Sequence, residues 1–210
     1  MSVKEMMTVS GTRRSETDNS ETRRTLIEVT ERLMREEGYA AVSSRRVGRE
    51  AGVTAALVHY YFATLDDLFL AVFRQGAEKN LSRHARVLES PQPLHALWEF
   101  SIEPSGTALL TEFMALANHR KSIRSEIAEY AMRFRRLQLA LLESRRWAQP
   151  ERTGQEVPLP ALLVVLACLS RGLVMEGELG ITEGHTETRA LVEQLLSRFD
   201  AGTGDRAAEA

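Results

Sequence analysis

Cysteine is almost missing from this chain of 210 residues: the one present, Cys168, sits in an apolar run. A disulfide framework and a cysteine-based zinc site are therefore excluded within one chain. An excess of one charge is missing too. With 27 Lys+Arg against 29 Asp+Glu the formal net charge is −2. The basic balance common in dedicated nucleic-acid binders is absent, so any such role has to rest on where particular arginines stand. Residues 1–62 hold 10 Lys+Arg and 9 Asp+Glu, an excess of the right sign but small. The opening MSVKEMMTVSGTRRSETDNS has no apolar core and does not read as a secretory signal. The longest strongly apolar run without charge, Val157–Ser170, has 14 residues and two prolines. That falls short of the ~18–20 residues of a membrane span, so a cytoplasmic protein with no membrane partner is expected. No segment alternates as a strand would and nothing repeats. His84, His95 and His119 are not spaced as i, i+4 ligand pairs, and the histidine nearest Cys168, His185, lies beyond a break. Neither a metal site, a cofactor nor a nucleophile–base set is expected.

What remains is ordinary for a globular chain, 43% hydrophobic and 27% charged, and its apolar residues recur at helical period. Residues 1–20 are polar and unperiodic and read as a flexible arm, a solvated tail or one whose Arg13 and Arg14 reach a DNA groove. Leu26, Ile27, Thr30, Leu33 and Met34 predict a first helix over 21–37, stopped by Gly38. A fourth helix is expected from Thr64 to about residue 86, with Asp66 and Asp67 in its first turn. Beyond Pro91 and Pro93, helices are expected near 94–102, 106–119, 122–148, 159–180 and 186–200, and 201–210 reads as a disordered tail.

The most informative stretch is Val42–Phe62, VSSRRVGREAGVTAALVHYYF. Ser43 is a good N-cap, Val47 and Ala51 share a face, Gly52 stands at a sharp turn, and Thr54 caps a second short helix with Leu57, Val58 and Phe62 inward. This is a helix-turn-helix.

Leu26, Ile27, Leu33, Met34, Gly38-Tyr39, Ser43, Val47, Ala51-Gly52-Val53-Thr54, Tyr61-Phe62 and Leu68, between about Arg23 and Leu68, resemble the TetR family of bacterial transcriptional regulators. The resemblance implies an all-α fold of about nine helices. A three-helix DNA-binding domain (21–66) would carry the helix-turn-helix, and a helical bundle (67–200) would serve dimerisation and effector binding. The function implied is a homodimeric repressor of a palindromic operator in double-stranded DNA, released by a small apolar effector.

The second helix of the motif would enter the major groove. Its outer face offers Thr54, Ala55, Ala56, His59 and Tyr60; Ser43, Ser44, Arg45, Arg46 and Thr64 flank it as backbone contacts. His59 is otherwise a satisfied polar residue on the surface. Three positions depart from the family: His59 for the usual tyrosine, Leu65 for the usual lysine, and Gly48 for a small helix former, at up to ~1 kcal/mol.

The segment from Leu159 to Leu169 is apolar nearly all round, so such a helix must be covered on most sides. Leu163, Leu166 and Leu173, with Leu191 and Leu195, are the candidate dimer contacts, unless this helix is the centre of one bundle. Trp98, Phe100, Phe113, Met114, Tyr130, Phe134 and Met175 are candidates to line an effector pocket or else to pack the core. His95, Glu112, His119, Arg120 and Glu176 are possible polar anchors. An all-helical enzyme and a helical dimer that no longer binds DNA are the competing readings.

Overall fold

A computed structural model describes residues 3–143 and 157–200, with the backbone alone at 3–18, 104–106 and 200. Among the described residues the chain is all-helical, without strands: α1 (Val3–Glu37), a 3-10 turn (Tyr39–Ala41), α2 (Ser44–Glu50), α3 (Ala55–Tyr61), α4 (Leu65–Leu88), α5 (Pro93–Ser101), α6 (Pro104–Ala117), α7 (Lys121–Glu143), α8 (Leu159–Glu178) and α9 (His185–Asp200). The expected order of helices is found. The expected end of the seventh helix at 148 and the tail over 201–210 lie outside the described residues.

One boundary differs strongly. α1 begins at Val3 rather than at residue 21, so most of the stretch read as an unperiodic arm is helical. Helix formation needs only local backbone hydrogen bonds and tolerates this proline-free stretch. An apolar face is needed only where a helix is packed, and among residues 19–37 the first buried side chain is Leu26.

The chain divides into two compact units. The first comprises Met1–Gly76 and Glu112–Ile123. Leu26, Leu33 and Met34 of α1 are fully buried there with Val47, Val58 and Leu68. Buried Thr30 turns its hydroxyl back on the Leu26 carbonyl at 2.7 Å, so it leaves no polar group without a partner. α1 stops at Gly38, whose φ of 82° suits glycine and whose N–H bonds the Met34 carbonyl at 3.1 Å. Ser43 accepts from the Arg46 N–H at 3.3 Å and Thr54 from the Leu57 N–H at 3.3 Å, so α2 and α3 are each capped as their sequences ask. Gly52, at φ 70°, makes the turn between them.

α2 and α3 meet at Gly48. The Val53 N–H donates to the Gly48 carbonyl at 2.8 Å. A β-carbon on Gly48 would lie 2.9 Å from the Val53 carbonyl oxygen and 3.2 Å from the Ala55 nitrogen. Residues 112–123 complete this unit. Glu112 accepts the Tyr39 N–H at 2.7 Å, Phe113 meets Phe73 edge to face at 5.2 Å, and Arg120 bonds Asp66 while lying over the Phe69 ring.

The second unit comprises Ala77–Thr111 and Arg124–Ala210. Its core gathers Leu94, Leu97 and Trp98 of α5, Leu142 of α7, Leu162, Leu163, Leu166 and Leu173 of α8, and Val192, Leu196 and Phe199 of α9. α8 turns Ser170 inward with these leucines, while Val164, Val165, Cys168, Leu169, Met175 and Leu179 are exposed on its other side. The helix continues past Arg171 to Glu178, beyond the uncharged run that ends at Ser170. By length and composition alone it is therefore long enough to cross a membrane, contrary to the expectation from that run, and a third of its apolar window is buried against this chain's own core.

Gly48→Ala tests the α2–α3 contact. Alanine is the better helix former by ~1 kcal/mol, but its methyl would press on backbone, and overpacking of this kind costs ~1–3 kcal/mol. A lower thermal midpoint is expected by circular dichroism; an unchanged or raised one would contradict the contact.

Candidate nucleic-acid interface and ligand cavity

The outer side of α3 carries little that the protein itself uses. Thr54, Ala56, His59 and Tyr60 are exposed, Tyr60 at 74%, and Ala55 is half-buried. Neither His59 nor the Tyr60 hydroxyl is hydrogen-bonded among the described residues; Tyr60 only meets the Tyr61 ring at 5.2 Å. The Thr54 hydroxyl accepts from Leu57, which leaves its proton free to donate. Inward, Val58 and Phe62 are buried, and the Arg23 guanidinium covers the Phe62 ring at 5.1 Å.

The flanking residues separate into free and engaged. Arg45 is exposed and has no ion pair or side-chain hydrogen bond among the described residues. Arg46 is engaged: its guanidinium bonds Glu37, and its Nε is buried without an acceptor among the described residues. It ties α2 to the end of α1, and a contact to backbone phosphate would have to compete with this internal pair. Arg32 is held by Glu50 at 3.2 Å and Glu36 at 3.3 Å. Thr64 is a cap: its hydroxyl and N–H donate to the Asp67 carboxylate at 2.8 and 2.9 Å, and the Asp67 N–H returns to the hydroxyl at 3.1 Å. Leu65 is half-buried and Ser44 half-buried, while Ser43 is exposed. Arg13 and Arg14 lie where side chains are outside the described residues. The residue that sequence reasoning misjudged is Gly48. Its glycine identity was visible, but the backbone crossing that demands it was not.

The second unit holds a cavity of about 140 Å³ that opens to solvent. Leu97, Leu110, Leu163 and Leu166 form apolar walls together with the rings of Phe100 and Phe134. Four polar side chains on it are nearly buried: His84, Thr107, Gln138 and Ser170. His84 donates from Nδ1 to the Asn80 carbonyl at 3.0 Å, since a carbonyl can only accept, and so keeps Nε2 as an acceptor. Phe100 and Phe134 each meet its ring edge to face at 4.2 Å. Burial, aided by the Arg83 charge and opposed by the Asn80 carbonyl, lowers its pKa to about 4, so the imidazole is neutral near pH 7.

Of the seven residues read as an effector pocket, Phe100 and Phe134 line this cavity and Tyr130 stacks on Phe134 at 6.1 Å, its hydroxyl donating to the Ala77 carbonyl. The other four are placed elsewhere. Trp98 is fully buried in the core, Met175 is exposed, and Phe113 and Met114 belong to the first unit, one packed on Phe73 and the other exposed. The polar anchors are likewise engaged elsewhere: Glu112 with Tyr39, Arg120 with Asp66, Glu176 with His185 at 2.9 Å, and His95 with Ser197 at 3.5 Å, while His119 is not on the lining. The signal that could have found the cavity is Ser170 in register with Leu163 and Leu166 on α8, a hydroxyl on an otherwise apolar stripe.

The leucines proposed for a dimer divide in the same way. Leu163, Leu166 and Leu173 are buried in this chain's own core and cannot meet a second copy; Leu195 is half-buried and Leu191 is 67% exposed. An apolar helix has two usable sides, and sequence alone does not say which is turned in. No group of His, Cys, Asp and Glu suited to a metal occurs among the described residues.

Residues 26–72 match the family model described as bacterial regulatory proteins, tetR family. No curated protein matches the chain. Among solved structures, a TetR-family transcriptional regulator from Rhodococcus sp. is similar at a TM-score of 0.63 and 15% identity, over 84% of this chain and 97% of that one. A transcriptional regulator from Saccharomonospora viridis in complex with choline is similar at 0.61 and 20%, over 75% and 85%. The multidrug binding protein EbrR complexed with imidazole is similar at 0.55 and 27%, over 74% and 80%.

The neutral imidazole of His84 carries a pH signature. Below about 6.5, the ordinary histidine pKa, the unfolded chain binds a proton here that the folded chain refuses until about pH 4. This contribution to stability is complete above pH 6.5 and is lost as pH falls towards 4. His84→Gln should flatten the decline of the unfolding midpoint across that window; an equal decline in both proteins would contradict the burial of a neutral ring.

Proposed function

We propose that this chain, which belongs to the TetR family of bacterial regulatory proteins through residues 26–72, is a cytoplasmic homodimeric repressor that releases a palindromic operator when a small molecule fills the cavity of its second unit. The observation that carries the DNA reading is the outer side of α3. Thr54, Ala56, His59 and Tyr60 stand exposed there on a helix capped and packed from behind, with unengaged Arg45 on the adjoining helix. Small residues allow close approach to base edges, and an alanine methyl suits a thymine methyl. Arg45, and the hydroxyls of Ser43 and Tyr60, supply sequence-independent grip on phosphate.

A second copy is supported by the exposed apolar side of α8. Val165 and Leu169 lie one helical turn apart with Val164 beside them, and Leu191 of α9 is exposed as well. A soluble chain does not leave such a stripe in water without cause. Dimerisation also gives two recognition helices, which suits half-sites about one helical turn (~34–36 Å) apart. Burial of that stripe between copies is an alternative to the lipid that α8's length would allow.

Release is supported by α6. This one helix carries Thr107 and Leu110 at the cavity and, less than a turn later, Glu112, whose carboxylate holds the Tyr39 N–H just before the helix-turn-helix. A ligand that shifts this helix would act on the first unit through that bond, as differential binding to two states requires. The neighbours that hold choline and imidazole support a small molecule as the trigger.

Two measurements test this reading. Val165→Asp combined with Leu169→Asp should turn a dimer into a folded monomer in sedimentation equilibrium; an unchanged mass would reject this face. Arg45→Ala should weaken duplex binding by a similar factor for all sequences and reduce the salt slope of log K by about 1 per subunit. An unchanged slope would remove Arg45 from the interface.

A further inference from the structure

We propose that the cavity of the second unit takes a small carboxylate with a flat apolar body the size of a benzene ring, its carboxylate held by Arg171. The proposal deepens the effector reading above and rests on it for its regulatory meaning only.

Size sets the first limit. The cavity measures about 140 Å³. A volume of ~150 Å³ accommodates benzene, whereas pockets for drug-sized ligands run to ~300–1,000 Å³. The shape of the walls sets the second. The Phe100 and Phe134 rings face a space otherwise bounded by leucines, which favours a flat apolar body over a branched or heavily hydrated one.

Charge decides the class. Besides neutral His84, three ionisable side chains line the cavity: Arg83, Glu103 and Arg171. Arg83 is already engaged twice, with Glu103 at 3.2 Å and over the Phe100 ring at 4.7 Å. That pair cancels both charges. Arg171 lines the cavity, but its guanidinium is turned to the sulfur of exposed Cys168 at 3.7 Å, so it must swing from there to meet a ligand; it has no carboxylate partner among the described residues. The lining thus holds one uncompensated cation and no uncompensated anion. A guanidinium presents a planar fork that matches a carboxylate with two parallel N–H donors. A cationic ligand would instead find a positive lining whose one carboxylate is taken.

His84 and Ser170 have given their protons to backbone carbonyls, so the nearly buried neutral donors left on the lining are the side chains of Thr107 and Gln138. Ser170, one residue from Arg171 on α8, is 2% exposed and gives its proton to the Ala167 carbonyl at 3.3 Å. Gln138 is 6% exposed, and its amide has no side-chain hydrogen bond among the described residues. Its two N–H donors are available to a second carboxylate oxygen.

The test uses the full-length protein and three probes of matched body: benzoate, benzyl alcohol and benzylammonium. Calorimetric titration at pH 7.5 should rank benzoate first and benzylammonium last. Arg171→Gln should weaken benzoate by about tenfold and leave benzyl alcohol unchanged, with Arg171→Lys in between. Benzylammonium binding as tightly as benzoate, benzoate unaffected by Arg171→Gln, or no binding of any probe at millimolar concentration would each overturn the proposal. Retention of a selected duplex, measured in parallel, separates the two readings. Benzoate that binds through Arg171 without releasing DNA upholds the ligand class and sinks the effector reading. DNA binding that persists when no probe binds sinks the ligand class alone.

Discussion

The backbone entering α3 rests on the α-carbon of Gly48, and the use of the first unit depends on that contact. Its peptide N–H at Val53 bonds the Gly48 carbonyl at 2.8 Å, and no side chain fits between the two helices there. Two short helices of seven residues each would be marginal alone. Locked together at this crossing, capped by Ser43 and Thr54 and seated on buried Val47 and Val58, they form one rigid piece. The exposed side of α3 is left with no internal partner, as a surface that must meet a ligand should be.

Charge in this unit is organised by the same logic. Arg32, Arg35 and Arg46 are each paired with a glutamate on α1 or α2. Exposed pairs like these contribute only ~0–1 kcal/mol apiece. Their larger effect is to neutralise arginines that composition would count as available for DNA. Arg45 escapes this pairing. A net charge of −2 for the chain is therefore compatible with a duplex-binding face, because binding needs local, unpaired cations rather than a basic total.

Much of this was legible in the sequence where the physics is local. The caps at Ser43, Thr54 and Thr64, the stop at Gly38 and the turn at Gly52 each follow from a side chain's relation to its own backbone. The order of the helices followed from apolar period. What was not legible depends on partners distant in the chain. Gly48 read as a weak helix residue because its neighbour across the turn was invisible. The pairing of Arg46 with Glu37 was not visible, because the two meet only once α1 and α2 are packed. On α8 the period is blunted by apolar residues on both sides, so the buried leucines could not be told from the exposed valines. The cavity was legible only in part, through Phe100 and Phe134: other large aromatics such as Trp98 and Phe113 fill cores, whereas the polar residues that mark the cavity, Gln138 and Ser170, are small signals within apolar stretches. The start of α1 was missed because a helix without an apolar face has no period to detect.

The central claim is that a dimer of this chain reads duplex DNA through α3. Selection of bound fragments from random duplexes by the purified protein, followed by sequencing, tests it most directly. The account predicts an enriched motif with two equivalent, inverted halves whose centres lie about one helical turn or a multiple of it apart. No enrichment at low salt, from protein shown to be folded and dimeric, would contradict it.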